Sequence, residues 1–87
     1  MPSQYRIEIK RSAAKEIRAI SRKKDRQRVV DRIRALADDP RPAGCTKLSG
    51  QSAYRVRQGE YRIIYTIADD VLLVEVVKVG HRRDVYR

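Results

Sequence analysis

A β-hairpin is predicted by the stretch Tyr54-Arg55-Val56-Arg57-Gln58-Gly59-Glu60-Tyr61-Arg62-Ile63-Ile64-Tyr65. Two runs of alternating residues flank Gly59-Glu60, which fits a two-residue turn that prefers glycine at its first position. Such a turn pairs residue 58 with 61, 57 with 62 and 56 with 63. The apolar residues of both runs then share one face of the sheet, and Arg55, Arg57 and Arg62 share the other.

The predicted register places Arg57 directly opposite Arg62. Like charges that face each other across two strands destabilise a sheet by about 0.2–1 kcal/mol, so folding alone gives no reason for this pair. A polyanionic ligand does give a reason. We therefore expect the face that carries the arginines to bind a polyanion.

Upstream of the hairpin the sequence predicts one strand and two helices. Tyr5–Ile9 alternates apolar and charged residues, as expected for a strand with one buried face. Ser12 is a candidate N-cap for a short helix, and Asp25 is a candidate start for a second helix that Pro40 ends. The two helices are expected to form a helical hairpin, and the Pro/Gly-rich residues 40–44 a loop that leads into the sheet.

Downstream of the hairpin, residues 68–70 are typical of a turn, and the apolar run from Val71 to Val79 predicts a third strand beside Tyr61–Ile67. The predicted fold is α+β. It has an N-terminal strand, a two-helix hairpin and an antiparallel three-strand meander, with the helices on one face of a small twisted sheet. Residues 1–87 are expected to form a single domain.

The amino-acid composition favours a polyanionic partner. The 87 residues include 21 Lys and Arg against 11 Asp and Glu, which gives a formal charge of +10, and nucleic acid is the leading polyanionic candidate. With Cys45 as the only cysteine, no internal disulfide or cysteine-based metal site can form, and a reducing cytoplasm is expected. No segment is apolar over the 20 or so residues that cross a bilayer, so no membrane association is predicted.

A second group of polar residues follows the last predicted strand. Gly80 precedes His81-Arg82-Arg83-Asp84-Val85-Tyr86, and this tail is expected to lie near the arginines of the hairpin. Together these residue types suit cleavage of RNA without a metal or cofactor. Guanidinium groups stabilise a crowded phosphorane, an imidazole transfers protons and an aromatic ring stacks on a base. Attack by the ribose 2′-hydroxyl leaves a cyclic phosphate and a free 5′-hydroxyl.

The chain resembles the RelE/ParE toxin superfamily. The resemblance lies in residues 47–50 (Lys-Leu-Ser-Gly), 54–57 (Tyr-Arg-Val-Arg), 61–65 (Tyr-Arg-Ile-Ile-Tyr) and 79–86 (Val-Gly-His-Arg-Arg-Asp-Val-Tyr). It implies that the chain is the toxin of a toxin–antitoxin pair, and that this toxin cuts mRNA in the ribosomal A site and contacts ribosomal RNA. It also implies a cognate RelB-like antitoxin that wraps and neutralises the toxin.

The resemblance also implies roles for individual residues. Arg62 matches the arginine that stabilises the phosphate, Arg82 the arginine proposed as general acid and Tyr86 the tyrosine that stacks on the substrate. Arg55 and Arg57 stand where RelE-type nucleases usually keep two lysines. Lys47, near the rim of the predicted groove, and Arg83 in the tail join Arg55 as expected substrate-binding residues.

The general base is the point at which the resemblance is incomplete. A lysine can lose its proton among other cations, whereas the guanidinium of Arg57 is effectively always protonated. His81 is the preferred replacement, since an imidazole exchanges its proton near neutral pH. Glu60 is the second candidate, although a position in the turn would hold it outside the groove.

The other tyrosines and basic residues are given structural interpretations. The strand parity of Tyr54, Tyr61 and Tyr65 assigns them to the core rather than to base stacking. The basic residues of the two helices are interpreted as a solvated surface that can also contact ribosomal RNA through charge.

Two alternative functions are also compatible with the sequence. The chain can be a ParE-like toxin that inhibits DNA gyrase, or a degenerate member that binds RNA or antitoxin without cleaving RNA.

Overall fold

Two helices and a five-stranded mixed sheet form the protein in the computed structural model, which describes residues 4–48, 50 and 52–83. The elements in chain order are β1 Arg6–Ile9, α1 Arg11–Arg18, α2 Lys23–Ala35, β2 Thr46–Lys47, β3 Ala53–Gln58, β4 Tyr61–Ala68 and β5 Leu73–His81. The strand order in the sheet is β1-β5-β4-β3-β2. The predicted α+β fold and the β3-β4-β5 meander are confirmed, whereas β2 was not predicted. Within the described ranges, neither helix has the length and apolar character that crossing a membrane requires.

The first strand runs parallel to β5 at one edge of the sheet, with Ile7 opposite Val74. All other strand pairs are antiparallel. A parallel pair needs a long crossover connection, and here the two helices lie within that connection. The helices therefore cover one face of the sheet, and no helix of the described ranges lies on the opposite face, called the open face below.

The helix ends differ from the sequence prediction. Helix α1 begins at Arg11, and Lys10 occupies the N-cap position without a side-chain bond, so the predicted Ser12 cap is wrong. Helix α2 begins at Lys23, which places Asp25 in its first turn rather than before it. A carboxylate in the first turn also interacts favourably with the helix dipole, so an acidic residue near a helix start does not define the exact first residue. The helix also ends earlier than Pro40, at Ala35.

The core lies between the helices and the covered face of the sheet. Ile17, Ile33, Ile63 and Tyr65 are all less than one-tenth exposed and belong to one cluster of buried residues. Tyr54, Tyr61 and Ile67 are partly buried and pack against that cluster. The prediction that the tyrosines of the hairpin belong to the core is confirmed. No charged side chain is buried among the described residues.

A hydrogen-bonded network fixes the loop after α2 to the sheet. The Tyr65 hydroxyl donates to the Pro40 carbonyl oxygen at 2.7 Å, and the Tyr65 ring stacks on Tyr54 with 5.9 Å between centroids. Next to them, the Arg41 guanidinium lies 5.3 Å from the Tyr54 ring centroid and donates two hydrogen bonds, of 3.1 and 2.9 Å, to Asp69. The Tyr5 hydroxyl also donates to Asp69, at 2.6 Å. The network joins the residue before β1, the loop after α2 and the open end of the hairpin, opposite its turn.

The contribution of this network to the stability of the fold depends on pH because of Asp69. Hydrogen bonds from Arg41 first and Tyr5 second lower the pKa of Asp69 from 3.8 to about 2. A lowered pKa in the folded state stabilises the protein above pH 3.8, and this contribution disappears as the pH falls toward 2. We expect Asp69→Asn to lower the unfolding temperature at pH 6, and the difference from the wild type to shrink between pH 4 and pH 2. Thermal unfolding followed by circular dichroism measures it.

The neighbouring Asp70 supplies the control for this prediction. Asp70 is exposed, and its side chain has no hydrogen bond or ion pair within the described part of the chain. Asp70→Asn removes the same charge one residue away, so its unfolding temperature should follow that of the wild type at every pH. Equal behaviour of the two variants would show that the Asp69 bonds do not contribute to stability.

Candidate nucleic-acid interface

The hairpin of β3 and β4 has the register that the sequence predicts. Gln58 lies opposite Tyr61, Arg57 opposite Arg62 and Val56 opposite Ile63. Gly59, at the first turn position, has a φ of +60°, a conformation that favours glycine over any residue with a side chain. The turn chemistry and the alternation of the strands together fix the face on which each arginine lies.

The arginines of the hairpin lie on the open face. Val56 and Ile63 are buried under the helices, so the flanking Arg55, Arg57 and Arg62 point to the other side of the sheet. On β5 the residue opposite Arg62 is Gly80, which adds no side chain to that face. The open face therefore carries guanidinium groups next to a position without a side chain.

Arg82 joins these three residues. Burial lowers the pKa of Arg62, and the nearby positive charges of Arg55, Arg57 and Arg82 lower it further, whereas the negative charge of Glu60 raises it. Burial is therefore the first cause of the lowered pKa, and the positive charges of three neighbouring guanidinium groups are the second. We call Arg55, Arg57, Arg62 and Arg82 the arginine cluster.

Glu60 connects Arg82 to the hairpin turn. Its backbone carbonyl accepts a hydrogen bond of 2.8 Å from the Arg82 N–H, and its carboxylate Oε2 lies 3.0 Å from Arg82 Nε. The same carboxylate oxygen lies 3.9 Å from His81 Nε2. The expected position of Glu60 was outside the groove, but its carboxylate contacts Arg82 and raises the pKa of Arg62, two members of the arginine cluster. No local pattern in the sequence indicates this contact, because it depends on the register of β5 against β4.

His81 lies on the face opposite to the arginine cluster. It pairs with Tyr61, whose side chain packs on the covered face, and the two rings meet edge to face with 5.8 Å between centroids. The expectation that the imidazole shares a face with the arginines is therefore wrong. Glu60 and Arg82 lie at the sheet end between His81 and the Arg57–Arg62 pair.

A β-bulge in β5 explains the position of His81. Ile64 lies opposite Lys78 but Tyr65 lies opposite Val76, so Val77 is an extra residue without a partner on β4. The covered face carries Val74 and Val76 before the bulge and Val79 after it. One additional residue shifts the alternation by one position, which moves His81 from the open face to the covered face.

His81 also lines a cavity on the covered face. The cavity has a volume of about 320 Å³ and lies between the end of α1 and the ends of β4 and β5, where Ile20, Tyr61 and Lys78 also line it. The Glu16 carboxylate on its wall accepts hydrogen bonds of 2.9 Å from the Val79 N–H and 3.1 Å from Lys78 Nζ. This cavity and the arginine cluster are on opposite faces of the sheet.

The remaining predicted site residues are not part of the cluster as described. Lys47 pairs with Tyr54, so the register assigns it to the covered face, and it is Thr46 that pairs with Arg55. Arg83 is exposed, and its backbone N–H donates to His81 Nδ1 at 3.3 Å. Tyr86 lies outside the described residues.

The basic residues of the helices form a separate exposed surface. Lys15, Arg18 and Arg22 are exposed at spacings of three and four residues along one side of α1 and its end, and Arg28 and Arg34 are exposed on α2. Arg26 is an exception because it is half-buried and donates a hydrogen bond of 2.9 Å to the Ile20 carbonyl. The interpretation of the helices as largely solvated and basic agrees with the structure.

Comparison with known families gives one match over nearly the whole chain. Residues 7–86 match the family model described as the ParE toxin of type II toxin–antitoxin systems, parDE. A search among curated proteins finds no match.

Solved structures share the fold. The archaeal RelE–RelB complex from Pyrococcus horikoshii contains a chain that superposes with a TM-score of 0.82 at 25% identity, over 94% of this chain and 99% of that one. The intact RelBE toxin–antitoxin complex of Escherichia coli gives 0.75 at 26% identity, over 88% and 95% of the two chains. The RelBE2 complex of Mycobacterium tuberculosis, at 22% identity, gives 0.79 over 91% and 99%.

Proposed function

The chain belongs to the ParE toxin family of type II toxin–antitoxin systems, within the RelE/ParE superfamily, and from this premise we propose that it is a ribosome-dependent endoribonuclease that cleaves mRNA in the A site. The observation that carries the proposal is the arginine cluster on the open face. Arg57 faces Arg62 across two strands, and three positive charges act on Arg62, so an anion bound at Arg62 would relieve a repulsion that folding alone does not explain. A phosphodiester of RNA is the anion that best fits a protein with a formal charge of +10.

In the proposed reaction the arginine cluster binds the scissile phosphate and stabilises its transition state. The ribose 2′-hydroxyl attacks the adjacent phosphorus and loses its proton, the bond to the 5′-oxygen breaks, and that oxygen gains a proton. The products are a 2′,3′-cyclic phosphate and a 5′-hydroxyl. Guanidinium groups already held near the phosphate stabilise the additional negative charge of the phosphorane without reorganisation. Arg57 and Arg62, which face each other, are the central pair, and Arg55 contacts a flanking phosphate.

Proton transfer is assigned to His81, with Arg82 next to it. His81 lies around the sheet end from the Arg57–Arg62 pair, but its Nε2 is 3.9 Å from the Glu60 carboxylate that also contacts Arg82, so its role requires RNA that is bound at the Arg82 end of the cluster. We expect His81→Asn to reduce cleavage by about 10²–10⁴-fold, the usual contribution of a general acid or base, with little change in RNA affinity. Single-turnover cleavage and RNA-binding assays separate the two effects. Undiminished cleavage by this variant would remove His81 from the mechanism.

The proposed partners follow from the family and the charge. A RelB-like antitoxin is the expected inhibitor, because the similar structures from P. horikoshii and E. coli are complexes of RelE with RelB. Ribosomal RNA is the expected second contact of the toxin, through the exposed basic residues of the helices such as Lys15, Arg18 and Arg22. This second contact lies on the covered side, which leaves the arginine cluster available for the message.

The test of the proposal uses purified toxin and translating ribosomes. Addition of the toxin should produce mRNA cut within the A-site codon, with a cyclic phosphate at the new 3′ end, and addition of the antitoxin should prevent the cut. Intact message at toxin concentrations that arrest translation would contradict the nuclease assignment. RNA binding without cleavage would instead identify a degenerate member that acts by occupancy.

A ParE-like inhibitor of DNA gyrase is the second candidate. Two observations favour it: the matching family model is that of the ParE toxin, and Arg57 stands where a nuclease would keep a lysine that can lose its proton. A supercoiling assay with purified gyrase distinguishes the two functions. Inhibition of supercoiling together with intact mRNA selects this candidate.

A further inference from the structure

The Glu60 carboxylate is the negative group that lies closest to the arginine cluster among the contacts described above. We propose that Glu60 is a positioning residue that holds the Arg82 guanidinium next to Arg62 and thereby completes the phosphate-binding cluster. This inference rests on the proposed function, because it concerns how the same cluster binds RNA. It assigns Glu60 a structural task within the site instead of the role of general base considered from the sequence.

Two contacts hold Arg82 to Glu60. The backbone hydrogen bond of 2.8 Å from the Arg82 N–H fixes the main chain directly after β5, and the ion pair of 3.0 Å between Nε and Oε2 fixes the side chain. The Arg82 side chain is 51% exposed, so few packing contacts restrain it. The carboxylate is therefore what restricts a long and flexible side chain to the neighbourhood of Arg62.

The ion pair leaves part of the guanidinium available. Its shortest contact, of 3.0 Å, is made by Nε, at one edge of the guanidinium. A guanidinium presents five N–H donors in a planar fork, so one edge can bind a carboxylate while another binds a phosphate. Glu60 can thus orient Arg82 without occupying the donors that RNA needs.

A purely electrostatic role and a positioning role of Glu60 predict opposite changes in RNA affinity when its carboxylate is removed. Glu60 raises the pKa of Arg62, which shows that its negative charge reaches the cluster. If charge alone mattered, neutralising Glu60 would remove a repulsion and RNA would bind more tightly. If Glu60 positions Arg82, the same substitution releases Arg82, and RNA binds more weakly.

A double-mutant cycle on RNA binding tests the proposal. The affinity of the purified toxin for a single-stranded RNA oligonucleotide is measured by fluorescence anisotropy over a series of salt concentrations. Each phosphate contact contributes about 0.7 to the slope of log K against log salt, so Arg82→Ala should reduce the magnitude of the slope by about 0.7. We expect Glu60→Gln to cause the same reduction, and the double variant to bind like Arg82→Ala alone.

The control is Glu8→Gln. Glu8 is an exposed glutamate on the edge strand β1, where it pairs with Arg6 at 3.2 Å. Its replacement by glutamine removes the same charge at a site away from the arginine cluster. Its salt slope should equal that of the wild type. Glu60→Asp, which keeps the charge but shortens the side chain, should bind between the wild type and Glu60→Gln.

The outcomes separate this inference from the proposed function. Tighter binding by Glu60→Gln with an unchanged slope, while Arg82→Ala still loses one contact, overturns the positioning role and leaves the cluster intact. Additive losses in the double variant also overturn it, because Glu60 would then act independently of Arg82. An Arg82→Ala variant with wild-type affinity and slope contradicts Arg82 as a member of the phosphate-binding cluster itself.

Discussion

Replacement of Arg62 by alanine is expected to reduce ribosome-dependent mRNA cleavage by about 10²–10³-fold. Arg62 is the member of the cluster whose charge interacts with Arg55, Arg57 and Arg82, so its guanidinium lies where a bound phosphate has the most positive neighbours. Loss of one preorganised donor to a developing negative charge typically costs this factor. Single-turnover cleavage of mRNA in programmed ribosomes is the measurement, with the toxin in excess.

Arg6→Ala is the matched control for this substitution. Arg6 is also a strand arginine, but it lies on the edge strand β1, is exposed and pairs with Glu8 at 3.2 Å. It should cleave at the wild-type rate. Both variants should remain folded, since Arg6 belongs to an exposed ion pair that contributes little to stability and Arg62 lies on the face opposite to the buried core. Equal cleavage by Arg62→Ala and the wild type would refute the assignment of the arginine cluster as the catalytic surface.

The largest effect on stability is expected from Ile63→Ala. Ile63 is fully buried at the centre of the sheet, between Val56 on β3 and Val79 on β5. Removal of three carbon atoms from such a site costs about 2–5 kcal/mol, through lost burial and the cavity that remains. Small domains are stable by only about 5–15 kcal/mol, so the variant should unfold at a markedly lower urea concentration. Urea unfolding followed by circular dichroism gives the difference.

The adjacent Ile64 provides the comparison. Ile64 is half-buried on the open face, opposite Arg55, and has no helix above it. The same chemical change there removes fewer packing contacts, so Ile64→Ala should destabilise the protein by less than about 1.5 kcal/mol. A similar loss in both variants would mean that Ile64 is packed as tightly as Ile63, which contradicts the burial of the two residues in the structure.

The hairpin was predictable from the sequence because two independent local signals agree. The period of two places Val56 and Ile63 on one face, and Gly59 at the first turn position fixes the register without long-range information. The faces of Arg55, Arg57 and Arg62 follow directly. The helical hairpin was also predictable from apolar spacing, but its exact ends were not, because no side chain caps either helix start.

The position of His81 was not predictable for a physical reason. Residues 71–79 are nearly all apolar, so Val76 and Val77 both fit a buried position and the sequence contains no sign of which residue is the extra one. The partners of β1 and β2 depend on contacts across the sheet and left no local pattern either. The contact between Glu60 and Arg82 likewise depends on the register of β5 against β4, not on neighbouring residues.

The unpaired Val77 has a consequence for which deletions the site would tolerate. The residues on both sides of Val77 keep their own partners on β4, so removal of Val77 alone would straighten the strand and leave Gly80 opposite Arg62 and His81 opposite Tyr61. Removal of one residue between Lys78 and His81 would instead reverse the faces of the side chains that follow it. The same loss of one codon is thus harmless to the geometry at one point of β5 and disruptive two residues later.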